Sequence, residues 1–335
     1  VVSCDSMQIY RGMDIGTAKP TPEERRGIAH HMIDIIDPGE SYSASRFKED
    51  AAACVRDILS RGKRPVLCGG TGLYIDALTR PMDFALPSDS ALRDELNALS
   101  QRENGKEALH AMLKEIDPES ARRLHPNDVR RVVRAIEIYR LTGHTMTEQM
   151  ALDRQREGDY DVTFFALNWP RDVLYDRIDR RVDQMMTCGL VDEVKRLLEN
   201  GLSADSTAMQ ALGYKEIAQA LCGECTMREA VEAVKMGSRR YAKRQETWFH
   251  RDKRCVWLSA EGKTGAQLAQ DLQPILLRQH NVKQNQRRQL LCHALPKGRR
   301  AGKPLGLIAL GLQAINHQFP DAVVILYAVN HSDSP

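Results

Sequence analysis

A carboxylate followed by hydrogen-bonding side chains stands near the start of the chain. Asp5 ends the apolar segment of residues 1–4 and is followed by Ser6, Met7 and Gln8. A carboxylate at the end of a buried strand can accept a hydrogen bond or a proton from a substrate amine. It can equally cap the turn that follows, because Asp is a preferred capping residue. Position alone leaves both interpretations open.

A glycine-rich turn could bind an anion. Gly69, Gly70, Thr71 and Gly72 follow the short apolar segment 65–68. Glycines let backbone N–H groups at the start of a helix approach an anion closely. A tight turn between a strand and a helix also needs glycine for its backbone angles, and this alternative is at least as common.

A pair of arginines could hold a diphosphate. Arg177 and Arg181 are four residues apart in a predicted helix, so their guanidinium groups lie on one face and could bind a diphosphate in a bidentate manner. The neighbouring acidic residues allow a salt-bridged, solvent-facing surface instead, and this pattern alone favours that alternative.

Two helical segments carry dense positive charge. Arg130, Arg131 and Arg134 occupy one arc of a predicted helix whose opposite side is apolar. Residues 235–254 combine Lys and Arg with aromatic residues, which suits phosphate neutralisation and stacking on unpaired bases. Either segment could be an ordinary amphipathic surface helix, but the two together favour RNA binding.

The elements that position these residues predict an α/β fold. Strand-like segments alternate with helical ones, which indicates a parallel sheet with ligands at the carboxyl ends of its strands. Asp5 and the turn at Gly69 both fall there. The predicted strands are residues 1–4, 32–36, 65–68, 162–167 and 256–258.

The charge pattern divides the chain further. Residues 1–84 and 159–278 are predicted to form the α/β core, and the charged, helical residues 85–158 an inserted domain. Residues 279–335 form a tail that the pattern does not fit into the framework of the core.

Composition limits the classes of protein that fit. The chain has 335 residues, enough for about two domains, with 42% hydrophobic and 28% charged residues. Its net charge is only +3, so affinity for a polyanion must come from local basic clusters. The eight cysteines are scattered, which favours free thiols in a reducing cytoplasm. Apolar runs are far shorter than the ~20 residues that span a bilayer, so no membrane association is expected.

Six short motifs follow one another along the chain. They are Asp-Ser-Met-Gln-Ile-Tyr (5–10), Met-Asp-Ile-Gly-Thr-Ala-Lys-Pro (13–20), Gly-Gly-Thr-Gly-Leu-Tyr (69–74), His-Pro-Asn-Asp (125–128), Ala-Leu-Gly-Tyr-Lys-Glu (211–216) and Ala-Lys-Arg-Gln-x-Thr-Trp-Phe (242–249). This ordered set resembles the tRNA dimethylallyltransferase family, also called tRNA isopentenyltransferases, and the resemblance covers about residues 1–275.

The resemblance implies a fold and a reaction. The fold is a P-loop NTPase-like, doubly wound parallel sheet with a helical insertion domain. The reaction moves a dimethylallyl group from dimethylallyl diphosphate to N6 of the adenosine next to the anticodon of tRNA, with Mg²⁺ assisting the diphosphate. The partners are the tRNA anticodon stem-loop and dimethylallyl diphosphate, and the expected state is a cytoplasmic monomer.

The resemblance also implies roles for individual residues. Asp5 would be the general base or hydrogen-bond acceptor for the N6 amine, and Thr71 and Arg181 would hold the diphosphate and stabilise its departure. The remaining residues expected to bind substrate are Ser6, Met7, Gln8, Arg93, Arg130, Arg131, Val132, Val133, Arg134, Arg177, Gln210, Ala211, Leu212, Gly213, Tyr214, Lys215, Lys243, Arg244, Gln245, Trp248 and His250.

Two features depart from the family pattern. His250 stands where the family usually has Arg, which weakens one phosphate contact. The Gly-x-x-x-x-Gly-Lys-[Ser/Thr] loop that cradles the donor's diphosphate has no counterpart in this sequence. We therefore expect a truncated chain that is inactive as given. The alternatives are an adenylate isopentenyltransferase, a P-loop kinase of a small metabolite, and a catalytically dead RNA-binding fragment.

Overall fold

The computed structural model describes residues 1–82, 88–156, 158–272 and 324–330. They fall into two compact units. The α/β unit comprises Val1–Ile75 and the described part of Tyr160–Pro335, and the helical unit comprises the described part of Asp76–Asp159. The predicted domain boundaries near residues 84 and 278 lie outside the described residues.

The sheet of the α/β unit has five strands in the described residues, in the order β1-β2-β5-β3-β4. β1 pairs with β2 and β3 with β4 in parallel, as the alternation of strands and helices predicts. β5 runs antiparallel to both of its neighbours, β2 and β3. The strands are β1 (Val2–Ser3), β2 (Val66–Gly69), β3 (Tyr160–Asn168), β4 (Cys255–Ser259) and β5 (Val324–Asn330).

Sequence periodicity predicts four helices between β3 and β4, at about residues 171–188, 190–200, 214–221 and 227–251. The observed bounds of these four helices agree to within one residue. The helices are α1 (Pro22–Arg25), α2 (Ala44–Ser60), α3 (Gly72–Thr79), α4 (Ser90–Ser100), α5 (Gly105–Ile116), α6 (Pro118–Arg123), α7 (Val129–Thr142), α8 (Met146–Gln155), α9 (Arg171–Thr187), α10 (Leu190–Glu199), α11 (Tyr214–Leu221) and α12 (Met227–His250).

The predicted strand at residues 32–36 is wrong. Met32 and Asp34 have φ angles of 63° and 57°, in the left-handed region that an extended strand excludes. Only isolated bridges remain, between Val2 and His31 and between Tyr10 and Ile36. Met32 and Ile36 are buried, but the backbone of this segment turns too sharply to form a ladder.

Part of the tail has a place in the sheet. β5 lies between β2 and β3, whereas the sequence pattern leaves the tail outside the framework of the core. The short apolar run that contains β5 is compatible with a strand or with a helix segment, and its sequence does not show which strands it would pair with. The other tail residues lie outside the described part of the chain.

Each unit has its own apolar core. In the α/β unit, α12 packs on the sheet, where Phe249 meets Phe164 edge to face at a centroid distance of 5.7 Å. In the helical unit, Val132 and Ile136 of α7 lie in a buried cluster with Leu109 of α5. No helix in the described residues combines the length and apolar character needed to cross a bilayer.

Gly69, the last residue of β2, allows the close approach of β1. A Cβ at this position would lie 2.5 Å from both the carbonyl carbon and the carbonyl oxygen of Cys4. Cys4 N donates to Cys68 O at 2.6 Å in the same place. A side chain on Gly69 would therefore push the ends of the two strands apart.

We predict that Gly69→Ala lowers the free energy of unfolding by about 1–3 kcal/mol, the usual cost of overpacking. Gly39→Ala is the matched control, because a Cβ there meets nothing within 4 Å. Urea denaturation of both variants measures the difference. Equal stabilities would show that the two strand ends do not need this close contact.

Candidate active site

Asp5 lies in the turn that follows β1. Its Oδ1 accepts hydrogen bonds from the backbone N–H groups of Met7, at 2.7 Å, and Gln8, at 3.2 Å. Among the described residues no hydrogen bond to Oδ2 is present, and Asp5 lines a cleft of the α/β unit. One oxygen therefore caps the turn while the other is left for a ligand, so the two interpretations of Asp5 are compatible.

The surroundings of Asp5 change its acidity. Burial raises its pKa above the ordinary value of 3.8, and the hydrogen bonds from Met7 and Gln8 and the charge of Arg181 partly oppose this rise. A carboxylate with a raised pKa is a better proton acceptor than an exposed one. The position thus combines an available oxygen with increased basicity.

Thr71 joins the glycine turn to the Asp5 turn. Its Oγ1 accepts from Ser6 N at 3.0 Å and donates to Ser6 Oγ at 3.3 Å, while Thr71 N donates to Cys4 O at 3.1 Å. The turn that opens α3 therefore lies against the residue next to the candidate base. A group bound at one turn would be within reach of the other.

Tyr241 of α12 completes this cluster. Burial raises its pKa to about 12, the negative charge of Asp5 adds to the rise, and hydrogen bonds with Thr71 and Gln245 oppose it. Its hydroxyl is neutral near neutral pH and stays a possible donor. In the sequence, Tyr241 stands out only as one aromatic residue in a basic helix.

The cleft around Asp5 has a volume of about 290 Å³. It contains one carboxylate, from Asp5, and two guanidinium groups, from Arg181 and Arg244, which suits an anion beside a proton acceptor. Its lining residues are Asp5, Ser6, Met7, Gly16, Thr17, Ala18, Gly70, Arg181, Val182, Met185, Gln210, Ala211, Leu212, Gly213, Val234, Ser238, Tyr241, Arg244 and Gln245.

The two arginines of α9 differ in their surroundings. Arg181 lines the cleft, whereas the guanidinium of Arg177 lies 4.2 Å from the centroid of the Trp169 ring. Of the acidic residues on this helix, Asp179 pairs with Arg239 at 2.7 Å. The structure therefore places only Arg181 of this pair in the cleft.

The segment before α11 forms one wall of the cleft. Gln210, Ala211, Leu212 and Gly213 line it, as their sequence motif suggests. Tyr214 is fully buried, and Lys215 is exposed; neither belongs to the lining of the cleft.

The predicted residues of α12 are distributed over several environments. Gln245 donates from Nε2 to Gly70 O at 3.0 Å and lines the cleft together with Arg244. Trp248 packs against Gly72, where a Cβ would lie 2.5 Å from the indole ring. Lys243 and His250 are exposed, and the His250 ring stacks on Trp257 at 4.1 Å.

Besides Tyr214, three predicted contact residues are buried and absent from the lining of the cleft. Val132 and Val133 belong to the core of the helical unit, with exposed fractions of 1% and 2%, so their side chains cannot contact RNA. Gln8 is 1% exposed and donates from Nε2 to the carbonyl oxygens of Thr17 and Ala18. Motif position does not reveal the direction in which these side chains point.

The four arginines of the helical unit that are predicted to bind substrate fall into two groups. Arg130 and Arg131 are exposed on α7. Arg93 and Arg134 both donate to the buried carboxylate of Glu137, at 2.9 Å and 2.8 Å. Arg130 and Arg131 are therefore the more accessible part of the predicted arginine stripe.

Several residues of the cleft carry no chemical signal in the sequence. Gly16, Thr17 and Ala18 belong to a motif, but their residue types suggest no reaction. Glu193, which does not line the cleft, is one of three acidic residues of the amphipathic helix α10. Nothing in its spacing connects it to residues 14–16, whose backbone N–H groups donate to its carboxylate. The described residues contain no group of three or more His, Cys, Asp or Glu side chains placed to hold a metal.

Comparison with known proteins identifies one family for this chain. The family model "IPP transferase" matches residues 8–252. The tRNA dimethylallyltransferase of Thermotoga neapolitana is 46% identical over 282 residues, which is 84% of this chain and 91% of the relative.

Solved structures give the same result. The tRNA isopentenylpyrophosphate transferase of Bacillus halodurans has a TM-score of 0.56 at 46% identity, covering 77% of this chain and 80% of its own. A eukaryotic dimethylallyltransferase, solved acting on tRNA, has a TM-score of 0.66 at 28% identity, covering 93% and 78%. These matches confirm the predicted P-loop NTPase-like α/β fold, and the chain belongs to the IPP transferase family.

Proposed function

We propose that this protein transfers a dimethylallyl group from dimethylallyl diphosphate to N6 of the adenosine next to the anticodon of tRNA. The observation that carries the proposal is the carboxylate of Asp5, which lines a cleft with Arg181 and Arg244 and keeps Oδ2 without a hydrogen bond in the described part of the chain. The names of the family's members, tRNA dimethylallyltransferases, support the substrate class.

The reaction needs a proton acceptor and an anion site. The N6 nitrogen forms a bond to the C1 atom of the donor, and the C1–O bond breaks with its electron pair leaving on the diphosphate. The proton of N6 passes to Asp5 Oδ2. This amine is conjugated with its ring and is a poor nucleophile, so a nearby base contributes directly to the rate.

The departing diphosphate needs positive charge and hydrogen-bond donors. Arg181 and Arg244 supply guanidinium groups in the cleft, and the turn at Gly70 and Thr71 opens α3. A helix N-terminus and arginines both bind phosphate groups well. Because these groups are already in place, they stabilise the charge that develops on the leaving group with little rearrangement.

Mg²⁺ is part of the proposal as a companion of the diphosphate. Mg²⁺ keeps several waters and often binds through substrate phosphates, so it does not require a cluster of three protein ligands. The Ser6 and Thr71 hydroxyls, which lie beside the glycine turn, would be its neutral oxygen ligands. When bound, the ion would neutralise charge on the diphosphate.

Exposed basic residues would bind the RNA. Arg130 and Arg131 on α7 and Lys243 on α12 are exposed cations, and Lys215 follows the wall of the cleft. Phosphate contacts from such residues position the RNA, while the cleft receives the base. We further propose a cytoplasmic monomer as the working state.

Asp5→Asn tests the role of the carboxylate. Asn keeps an oxygen that can accept from Met7 and Gln8, so the turn is retained while the base is removed. All activity measurements use a parent protein to which a Gly-x-x-x-x-Gly-Lys-[Ser/Thr] loop and its flanking strand and helix have been added before Val1, because this sequence has no such loop. Relative to this parent, we expect the single-turnover rate of prenylation of a tRNA anticodon stem-loop to fall by about 10²- to 10⁴-fold, with little change in RNA affinity.

The control is Asp89→Asn, the same substitution at a capping residue of α4 in the helical unit. It should leave the rate unchanged. A rate for Asp5→Asn within about threefold of the parent would remove Asp5 from the mechanism. No prenylation by the parent protein would reject the proposed function itself.

A double substitution tests the arginines of α7. Replacing Arg130 and Arg131 with Gln should weaken stem-loop binding and reduce the salt dependence of the affinity. The expected decrease in log–log slope is about 0.7–0.9 for each phosphate that is no longer neutralised. Arg134 is left intact because it pairs with the buried Glu137.

Arg102 and Arg122, both exposed in the same unit but outside α7, form the control pair, since replacing them with Gln removes the same charge. Fluorescence anisotropy across a salt series provides both values. If the two double variants weaken binding equally, general charge and not the α7 surface accounts for the affinity.

A further inference from the structure

Glu193 connects the loop of residues 14–18 to Tyr214, which directly follows the segment of residues 210–213. We propose that it is a positioning residue for the transfer reaction, whose buried carboxylate holds residues 14–18 and the segment before Tyr214 in the arrangement that receives the acceptor. This inference rests on the proposed function. Glu193 is absent from the lining of the cleft and so acts only through other residues.

The carboxylate of Glu193 binds three consecutive backbone N–H groups. It accepts from Asp14 at 3.0 Å, from Ile15 at 3.0 Å and from Gly16 at 3.2 Å, although α10 lies almost 180 residues further along the chain. The side chain is buried, with an exposed fraction of 2% for the residue. Three converging amides form a concave anion site, and here the protein's own carboxylate occupies it.

The same carboxylate binds the hydroxyl of Tyr214. The O–H donates to Glu193 Oε1 at 2.5 Å, and Tyr214 is fully buried. Burial, together with the charge of Glu193 and its hydrogen bond, raises the pKa of Tyr214, so the phenol stays protonated as a donor. Gly16 packs directly on the Tyr214 ring and leaves no space for a Cβ.

A second side chain, that of Gln8, binds carbonyl groups of the same loop. Gln8 donates from Nε2 to Thr17 O at 3.2 Å and to Ala18 O at 3.3 Å, and its Oε1 accepts from Ser3 Oγ at 3.0 Å. Glu193 thus binds backbone N–H groups of the loop, and Gln8 binds its carbonyl groups. These hydrogen bonds connect the loop to α10 through Glu193 and to β1 through Gln8 and Ser3.

These bonds determine the shape of the cleft. Gly16, Thr17 and Ala18 form one part of its lining, and Gln210 to Gly213, directly before Tyr214, form another. The Glu193 carboxylate binds both residues 14–16 and Tyr214, so removal of its charge should displace both parts of the lining. The groups proposed for the diphosphate belong to other elements, the glycine turn after β2 and helices α9 and α12, so donor binding should be less affected than acceptor placement.

Glu193→Gln tests the inference, because a neutral amide accepts less strongly and turns an NH₂ group toward N–H donors. We expect kcat for stem-loop prenylation to fall by about 10²-fold, as for a small misplacement of reacting groups. KM for dimethylallyl diphosphate should stay within about twofold. Amide hydrogen exchange at residues 14–16 should accelerate at the same time.

Two further variants complete the design. Tyr214→Phe removes only the hydroxyl and should reduce kcat several-fold, which keeps the inference testable if Glu193→Gln does not fold. Glu229→Gln is the matched control, since Glu229 is a capping carboxylate at the start of α12, outside the cleft. It should leave both kcat and exchange at residues 14–16 unchanged.

The outcomes separate this inference from the proposed function. An active parent with a Glu193→Gln variant that retains kcat within about threefold overturns the positioning role. Unchanged amide exchange at residues 14–16 overturns it as well, whatever the substrate. Absence of transfer by the parent rejects the proposed reaction, while faster exchange in the variant would still support Glu193 as the residue that holds the loop.

Discussion

The site depends on how closely the carboxyl ends of β1 and β2 approach each other. Backbone hydrogen bonds join them directly, from Cys4 N to Cys68 O and from Thr71 N to Cys4 O. This approach is possible because Gly69 has no side chain. It places the Asp5 turn beside the glycine turn, so that a base and an anion-binding segment from distant parts of the chain share one cleft.

The charges in the cleft balance two opposing requirements. A base must hold a proton well, which burial favours, yet it must be ionised to accept one, which the nearby charge of Arg181 favours. Arg181 and Arg244 also supply the positive charge that a departing diphosphate needs. Interactions between charges are stronger in a partly buried cleft than in water, so a few groups are sufficient.

Much of this organisation follows from sequence, because it is local. The capping box of Thr226 and Glu229 starts α12 where periodicity predicts it, and Asp5 follows a buried strand. The strand predicted at residues 32–36 is wrong because burial does not reveal a left-handed backbone. The role of Glu193 could not be predicted, since nothing in local spacing shows which distant amides will meet one carboxylate. The burial of the Gln8 side chain outside the cleft likewise depends on tertiary packing, which local sequence does not reveal.

The dependence of the single-turnover prenylation rate on pH tests the central claim, that Asp5 is a partly buried base, most directly. Because the pKa of Asp5 is raised and the base must be deprotonated, the rate should fall as pH decreases through a value above 3.8, under conditions in which the protein stays folded. In Asp5→Asn this acidic limb should be absent and the remaining slow rate independent of pH over the same range. An acidic limb that persists unchanged in Asp5→Asn would contradict the account.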